Sequence, residues 1–473
     1  MTVIIQNPKR REVNAGEILD GAKPILNHQA ALLNQILNKL TEVDVVGVNG
    51  PPGYGKSYIA RALQIMFGRA DIITSNNHLL DQYKRDYPEL NCVKGKDHYD
   101  TAEQYNTAKS IARSAAHSIF NPLSALFTVP GETRSTKCVI VDEAHTLGDM
   151  LRHAASISLN ASKAGIPKRC TSEYELSRWV RERFHDLGVR LAHSPDSKPV
   201  QAEYEKVGAL YYSLVGHEQD SVFRLNRSAR TFKGRRFEQL DIDAVDYPTG
   251  LIRKVLSADK VVLLSGTLTK AETAALACGR SWAWITVPYL APPENRPVFV
   301  QPVEEEDRKN IPKLCDKIRR IYMEGGKKPT LVHVTYGEMN EYVTCLSDLS
   351  PITNTSRNKA QAETKFRKLG GLWLAAGCSE GLDFPGDLCR NVIIPSLQFP
   401  NKGDMYVQKR MGKSDGSRWY CLKTLENTIQ RLGRGMRGAD DHCNHFIFDP
   451  YFPRLWGEYG KEFEPIAIKW GYE

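Results

Sequence analysis

The sequence predicts an α/β protein: two doubly wound parallel sheets, with a helical insertion in the first. Three observations carry that reading. Short β-branched runs end in glycine, in acidic residues or in Ser-Gly, and amphipathic stretches separate them. Strands alternating with helices favour parallel pairing through crossover helices. The rhythm breaks over 150–245, a polar and highly charged stretch, and then resumes. The expected organisation is 1–149 with 246–290 as the first domain, 150–245 as the insertion and 291–473 as the second domain.

In order, HQAALLNQILNKL (28–40) has helical spacing, and VDVVGVNG (43–50) reads as a buried strand. YIARALQIMFG continues as a helix stopped by Gly68. DIITSN (71–76) is a second strand, HLLDQYKRDY a second helix, and KCVIVDEAH (137–145) a third strand ending in acids. Within 150–245, SEYELSRWVRERFHDL is helical, and KVVLLSGTL (260–268) is a fourth strand. APPENRPVFVQP (291–302), with its four prolines, reads as a linker. TLVHVTYG (330–337), LWLAAG (372–377), NVIIPS (391–396) and HFIFDP (445–450) supply the strands of the second domain.

The chain has 473 residues, enough for several cores. No apolar run approaches a membrane span, and the N-terminus lacks a signal-peptide pattern, so the expected setting is intracellular and cytoplasmic, with no membrane partner. Ten scattered cysteines form no CxxC pair, which argues against a zinc ribbon or a disulfide framework. A formal net charge of +9 favours a polyanionic partner weakly.

GPPGYGKS (50–57) follows a strand and opens a helix. In that context Gly50, Gly53 and Gly55 let backbone N–H groups close around phosphates. Lys56 would reach the β- and γ-phosphates, and Ser57 would hold Mg²⁺. VIVDEAH (139–145) ends a buried strand in two carboxylates. Asp142 would ligate Mg²⁺ through water, and Glu143 would polarise the attacking water. Near the C-terminus, QRLGRGMR (430–437) sets arginines three apart among glycines. Arg434 and Arg437 are candidates to stabilise charge on a transferring phosphate, with Gln430 orienting water or phosphate. Gly433 and Gly435 would let the backbone approach the nucleotide. These arginines lie in the second domain, so ATP is expected between the two domains.

Together the phosphate loop, DEAH (142–145), LSGTL (264–268) and QRLGRGMR resemble superfamily 2 helicases, and the finer pattern resembles the XPD/DinG family of DNA helicases. HQAAL (28–32) is similar to its Q-containing entry motif, TSNNHLLDQYKRDYPEL (74–90) to its first strand-binding motif and VKGKDHY (93–99) to its lysine–glycine–aromatic segment. SIFNPLSALF (118–127), VHVTYGEM (332–339) and GCSEGLDFPGD (377–387) resemble later motifs in the expected order. The resemblance covers most of the chain outside 150–250 and implies two RecA-like P-loop motor domains. It also implies that Gln29 senses adenine and that Asp383 joins the nucleotide site. Thr74, Asn77, Thr335 and Tyr336 would contact the strand, and His145, Ser265 and Thr267 would couple strand to nucleotide.

One departure stands out. Most of the family holds an iron–sulfur cluster through four cysteines in this region, yet no cysteine lies between Cys92 and Cys138, and Asp100 stands near the place of the first ligand. Four thiolates are not available, so no cluster is expected. The resulting expectation is an ATP- and Mg²⁺-dependent DNA helicase moving 5′→3′ on single-stranded DNA and opening tailed or forked duplexes, with replication, repair or recombination proteins as partners. Two alternatives stay open: an RNA or RNA–DNA hybrid helicase, and a nucleotide-switched ATPase that clamps or translocates along DNA without unwinding. FRLNRSARTFKGRRF (223–237) has two readings, a strand-binding patch and an edge leading back to the first sheet.

Overall fold

The computed structural model describes residues 12–18, 24–51, 53–74, 77–95, 98–128, 136–160, 165–168, 170, 172–214, 223–232, 235–244, 247–378, 384–436, 439–463 and 468–470. Two seven-stranded parallel sheets form its body. The first has the order β10-β1-β9-β5-β2-β4-β3. Its strands are β1 (Val45–Asn49), β2 (Ala70–Thr74), β3 (Asn91–Val93), β4 (His117–Phe120), β5 (Cys138–Asp142), β9 (Lys260–Ser265) and β10 (Trp282–Thr286). β1, β2 and β5 are buried along their whole length, as continuous apolar runs between two helical layers require. Those layers are α1 (Asn27–Glu42), α2 (Lys56–Phe67), α3 (Asn77–Asp86), α4 (Ala102–Ser114), α5 (Pro122–Thr128), α6 (Leu147–Ala155), α9 (Thr249–Val255) and α10 (Lys270–Ala277).

The second sheet has the order β13-β14-β12-β15-β16-β11-β17. It comprises β11 (Val298–Val300), β12 (Thr330–Val334), β13 (Ile352–Thr353), β14 (Leu372–Ala376), β15 (Asn391–Ile394), β16 (Asn444–Ile447) and β17 (Ile468–Trp470). Its helices are α11 (Ile311–Glu324), α12 (Met339–Cys345), α13 (Lys359–Leu369), α14 (Met405–Met411), α15 (Gly416–Leu432) and α16 (Phe452–Tyr459). The two sheets are the two lobes expected from the alternation.

Two expectations need correction. The supposed linker contains β11, which pairs with both β16 and β17. Its prolines flank the strand instead of interrupting it, and Val298 and Val300 are buried. The insertion is not only helical. Beside α7 (Glu173–His193) and α8 (Lys198–Leu214) stands an antiparallel sheet of β6 (Ile157–Asn160), β8 (Arg235–Ala244) and β7 (Phe223–Phe232). FRLNRSARTFKGRRF thus spans the ten-residue strand β7 and the start of β8, its antiparallel partner. It belongs to the insertion's own sheet and does not join the first lobe's sheet. Arginines three apart (Arg224, Arg227 and Arg230) fall on both faces of the strand and mask its period of two.

A candidate nucleotide site between two lobes

The phosphate loop runs from the end of β1 to the start of α2. Gly53 and Gly55 have φ of 80° and 82°, a left-handed conformation that a side chain disfavours. A Cβ on Gly55 would also collide with Gln29 Nε2. Gln29 is buried at the third position of α1 and accepts the Leu26 N–H at 3.1 Å, so the entry motif lies directly against the loop. Lys56 Nζ donates to the carbonyls of Gly50 at 2.9 Å and Pro51 at 3.2 Å, within the hollow where phosphates would sit.

β5 lies next to β9, which in turn pairs with β1, so Asp142 comes beside the loop. The Ser57 hydroxyl donates to Asp142 Oδ2 at 3.0 Å, and the Tyr83 hydroxyl donates to the same oxygen at 2.8 Å. The Glu143 N–H donates to Asp142 Oδ1 at 3.1 Å. Burial pushes the Asp142 carboxyl up, neighbouring Glu143 adds to the shift, and Lys56 opposes it. A buried carboxylate and a hydroxyl side by side form a hard-oxygen pair, which suits Mg²⁺. A divalent cation there would offset the charge that burial penalises. Glu143 itself has φ 56° and ψ 48°, the left-handed region. Strain of this kind costs on the order of 1–3 kcal/mol and gathers at functional sites.

His145 connects the lobes. Its Nδ1 lies 2.7 Å from Ser265 Oγ and 3.4 Å from Glu143 Oε2. Its Nε2 lies 2.6 Å from Nε2 of Gln430, whose amide also donates to Thr267 Oγ1 at 3.0 Å. With the imidazole proton on Nδ1, Nε2 accepts from Gln430 and Nδ1 donates to Ser265. The Ser265 Oγ also accepts the Thr267 N–H at 3.2 Å. Gln430 sits near the end of α15 in the second lobe, so the four predicted residues form one network across the cleft. Arg434 follows in the 3-10 turn Gly433–Gly435. Arg437 and Asp383 lie outside the described residues.

Gly435 has a packing constraint that the sequence did not reveal. A Cβ there would overlap Cys443 Sγ and stand 3.1 Å from Cys443 Cβ and 3.4 Å from the Cys389 carbonyl. The backbone is slim at this point to pack against its own lobe's interior.

The expected strand contacts separate. Thr335 and Tyr336 follow β12, and Tyr336 is 48% exposed over Gly377. Asn77 begins α3, and its side chain is outside the described residues. Thr74 is corrected: it ends β2 opposite Asp142 and is fully buried, so it offers a strand nothing here.

Two further residues escaped the sequence reading. Tyr83, on α3, is buried and reaches Asp142 from across the sheet; burial first, and then Asp142, raise its hydroxyl's pKa well above the ordinary value. Only its place within the first strand-binding motif hinted at a role. Lys423, on α15, bonds Glu272 of α10 at 2.8 Å and lies 3.8 Å from Asp149 of α6 and 2.8 Å from Glu426. Nearby, the Arg152 guanidinium stacks 3.4 Å over the Tyr406 ring, joining α6 to α14. Both contacts hold the second lobe against the first.

Comparison with known proteins fits this geometry. Residues 297–465 match the helicase C-terminal domain family. In overall architecture the chain is similar to apo XPD, with a TM-score of 0.60, 16% identity, and coverage of 93% of this chain and 100% of that one. It is similar also to Xpd4 of S. tokodaii, with a TM-score of 0.61, 15% identity, and coverage of 94% and 99%. A DEAD-box helicase, Mss116 bound to single-stranded RNA, shares the fold more distantly, with a TM-score of 0.51, 12% identity, and coverage of 95% and 75%. These likenesses show the fold: two RecA-like α/β domains facing one cleft.

Among curated proteins it is 30% identical to the ATP-dependent DNA helicase CHL1 of Saccharomyces cerevisiae (strain YJM789), over 16% of this chain and 11% of the relative. CHL1 of Vanderwaltozyma polyspora is also 30% identical, over 15% and 10%. The chain spans about a tenth of the length of the curated relatives it matches. Among the described residues, no helix is long and apolar enough to cross a membrane.

Proposed function

We propose that this chain is an ATP- and Mg²⁺-dependent DNA helicase that moves 5′→3′ on single-stranded DNA and opens tailed or forked duplexes. The observation that carries the proposal is the network Ser265–His145–Gln430–Thr267. It ties the end of β5, the end of β9 and helix α15, which leads into the turn that carries Arg434, into one unit across the cleft.

In this reading Lys56 leaves the loop carbonyls to neutralise the β- and γ-phosphates, and Gln29 reads the adenine. Ser57 and Asp142 would hold Mg²⁺, which supplies charge neutralisation of the phosphates when bound. Glu143, displaced from ordinary backbone geometry, aims its carboxylate at the attacking water. Arg434, with Arg437, stabilises charge on the transferring phosphoryl oxygens. Hydrolysis removes the ligand that both lobes hold, so the cleft opens and Gln430 parts from His145. Thr335 and Tyr336 hold the strand chiefly by its backbone, which makes binding strongly salt-dependent and largely indifferent to sequence. No four-cysteine cluster site is assigned, because no cysteine lies between Cys92 and Cys138. Replication, repair or recombination proteins are the partners this activity would serve.

The test measures ATP hydrolysis and strand separation together on duplexes with a 5′ or a 3′ tail, with Lys56→Ala as control. Unwinding of the 5′-tailed duplex alone, lost in Lys56→Ala, is the expected result. DNA-stimulated hydrolysis with neither duplex opened would instead mean a clamp or translocase, and stimulation by RNA alone would change the substrate.

A further inference from the structure

At the carboxyl edge of the second sheet lies a cavity of about 1000 Å³, within the size range of a nucleoside-sized ligand site. It opens where β11, β12, β15 and β16 end, the edge at which open α/β sheets commonly bind ligands. Phe399, Tyr420 and Tyr451 wall it, with Phe399 stacked on Tyr420 at a centroid distance of 5.5 Å. Exposed Lys402 and Arg454 stand at its rim. The carboxylates at the edge are already engaged: Glu305 accepts from the Tyr451 hydroxyl, and Glu338 from the Thr335 hydroxyl at 2.7 Å.

The floor supplies an independent sign of a ligand. His333 is 3% exposed, and its Nε2 meets no hydrogen-bond partner. Burial, reinforced by Arg431 and Arg434, lowers its pKa well below the usual value and keeps the ring neutral. A buried polar nitrogen left unmade costs stability, and a ligand that bonds it recovers that cost. A neutral imidazole can meet a base edge as donor or acceptor. Aromatic walls, a hydrogen-bonding floor and a cationic rim match the three parts of a nucleotide: base face, base edge and phosphate.

We propose that this cavity takes one nucleotide of the bound single strand, with its base against Phe399 and Tyr420 and its phosphate on Lys402 and Arg454. The proposal deepens the helicase reading and rests on it. It gives the strand a grip on the helix that reaches the nucleotide cleft. Tyr420 lines the cavity and Gln430 meets His145, and they stand about 15 Å apart along α15 at 1.5 Å per residue. A base leaving the cavity would shift the near end of that helix.

The experiment uses the full chain and a single-stranded oligonucleotide with 2-aminopurine walked through successive positions. One register is expected to change fluorescence on binding. That change should be lost in Phe399→Leu and in Lys402→Ala with Arg454→Ala, each checked for an unchanged melting temperature. Loss of the stacked base should weaken oligonucleotide binding about five- to a hundredfold. Loss of both cations from that one phosphate should reduce the slope of log affinity against log salt by about 0.7. Deoxyadenosine monophosphate alone is titrated in parallel. A register-independent signal, or a signal kept by both variants, overturns the proposal. Tight binding of the free mononucleotide, abolished by the same variants, would make this a soluble-nucleotide site and also overturns it. If no oligonucleotide binds wild type or Lys56→Ala at low salt, the helicase reading itself fails, a result distinct from loss in the cavity variants alone.

Discussion

Lys423→Met is the most informative single change. Lys423 is 14% exposed and is held between Glu272, Glu426 and Asp149, with Glu272 and Asp149 contributed by the first lobe. Glu272 and Glu426 are 13% and 6% exposed, so neither is well hydrated while the cleft is shut. Removing the ammonium strands these carboxylates together in low dielectric. Breaking a buried pair in this way costs about 3–5 kcal/mol. When the lobes part, Glu272 and Asp149 separate from Glu426 and all three rehydrate, so the cost falls on closure rather than on either lobe's fold. At about 1.4 kcal/mol per tenfold, the closing equilibrium should weaken by roughly two to nearly four powers of ten.

pH provides an internal control. The Glu426 carboxyl is pushed up to about 7 from an ordinary 4.5, first by burial, with Lys423 opposing and Glu272 adding to the shift. A carboxyl raised in the closed form favours closure when protonated, so its contribution grows as pH falls from about 7 towards 4.5 and is lost as pH rises. Without Lys423 the shift is larger, and the variant should recover partly on acidification. The assay is nucleotide-induced closure followed by FRET between dyes on the two lobes, with KM for ATP from pH 6 to 8.5. Adding Glu272→Gln to Lys423→Met should restore closure. FRET and KM within twofold of wild type at every pH would refute the reasoning.

Other outcomes follow from single contacts. Tyr83→Phe removes one of the two side-chain hydroxyls on Asp142 Oδ2; Mg²⁺ affinity in the nucleotide complex should fall about 10- to 100-fold, read by metal titration of a fluorescent ATP analogue. Gly435→Ala forces a methyl into Cys443; stability should drop by about 1–3 kcal/mol in thermal or urea unfolding. The same variant should lower DNA-stimulated kcat through displacement of Arg434 while nucleotide binding persists. Gln430→Ala leaves His145 Nε2 and Thr267 without their link to the second lobe; DNA stimulation of hydrolysis should fall on the order of tenfold, with ATP binding retained.

The sequence by itself determined the parts whose chemistry is local. GPPGYGKS fixes its own backbone, because two glycines at positive φ and a following helix create the loop from eight consecutive residues. DEAH is legible for the same reason: a buried strand must end, and its carboxylates stand where it ends. The alternation of apolar runs was enough to recover both parallel sheets. The tertiary structure alone decided what depends on distant partners. Tyr83 resembles any core tyrosine until α3 brings it to Asp142, and Lys423 resembles a surface lysine until α6 and α10 of the other lobe close over it. Gly435 is explained by Cys443 and Cys389, not by its neighbours in QRLGRGMR. Three-residue strands such as β3, β11 and β17 carry too few residues for a period to register, and arginines three apart blur the alternation in the insertion's hairpin. Motifs set by backbone conformation are written in order along the chain. Charge networks, packing and cavities arise from segments hundreds of residues apart, so they become visible only when the fold brings those segments together.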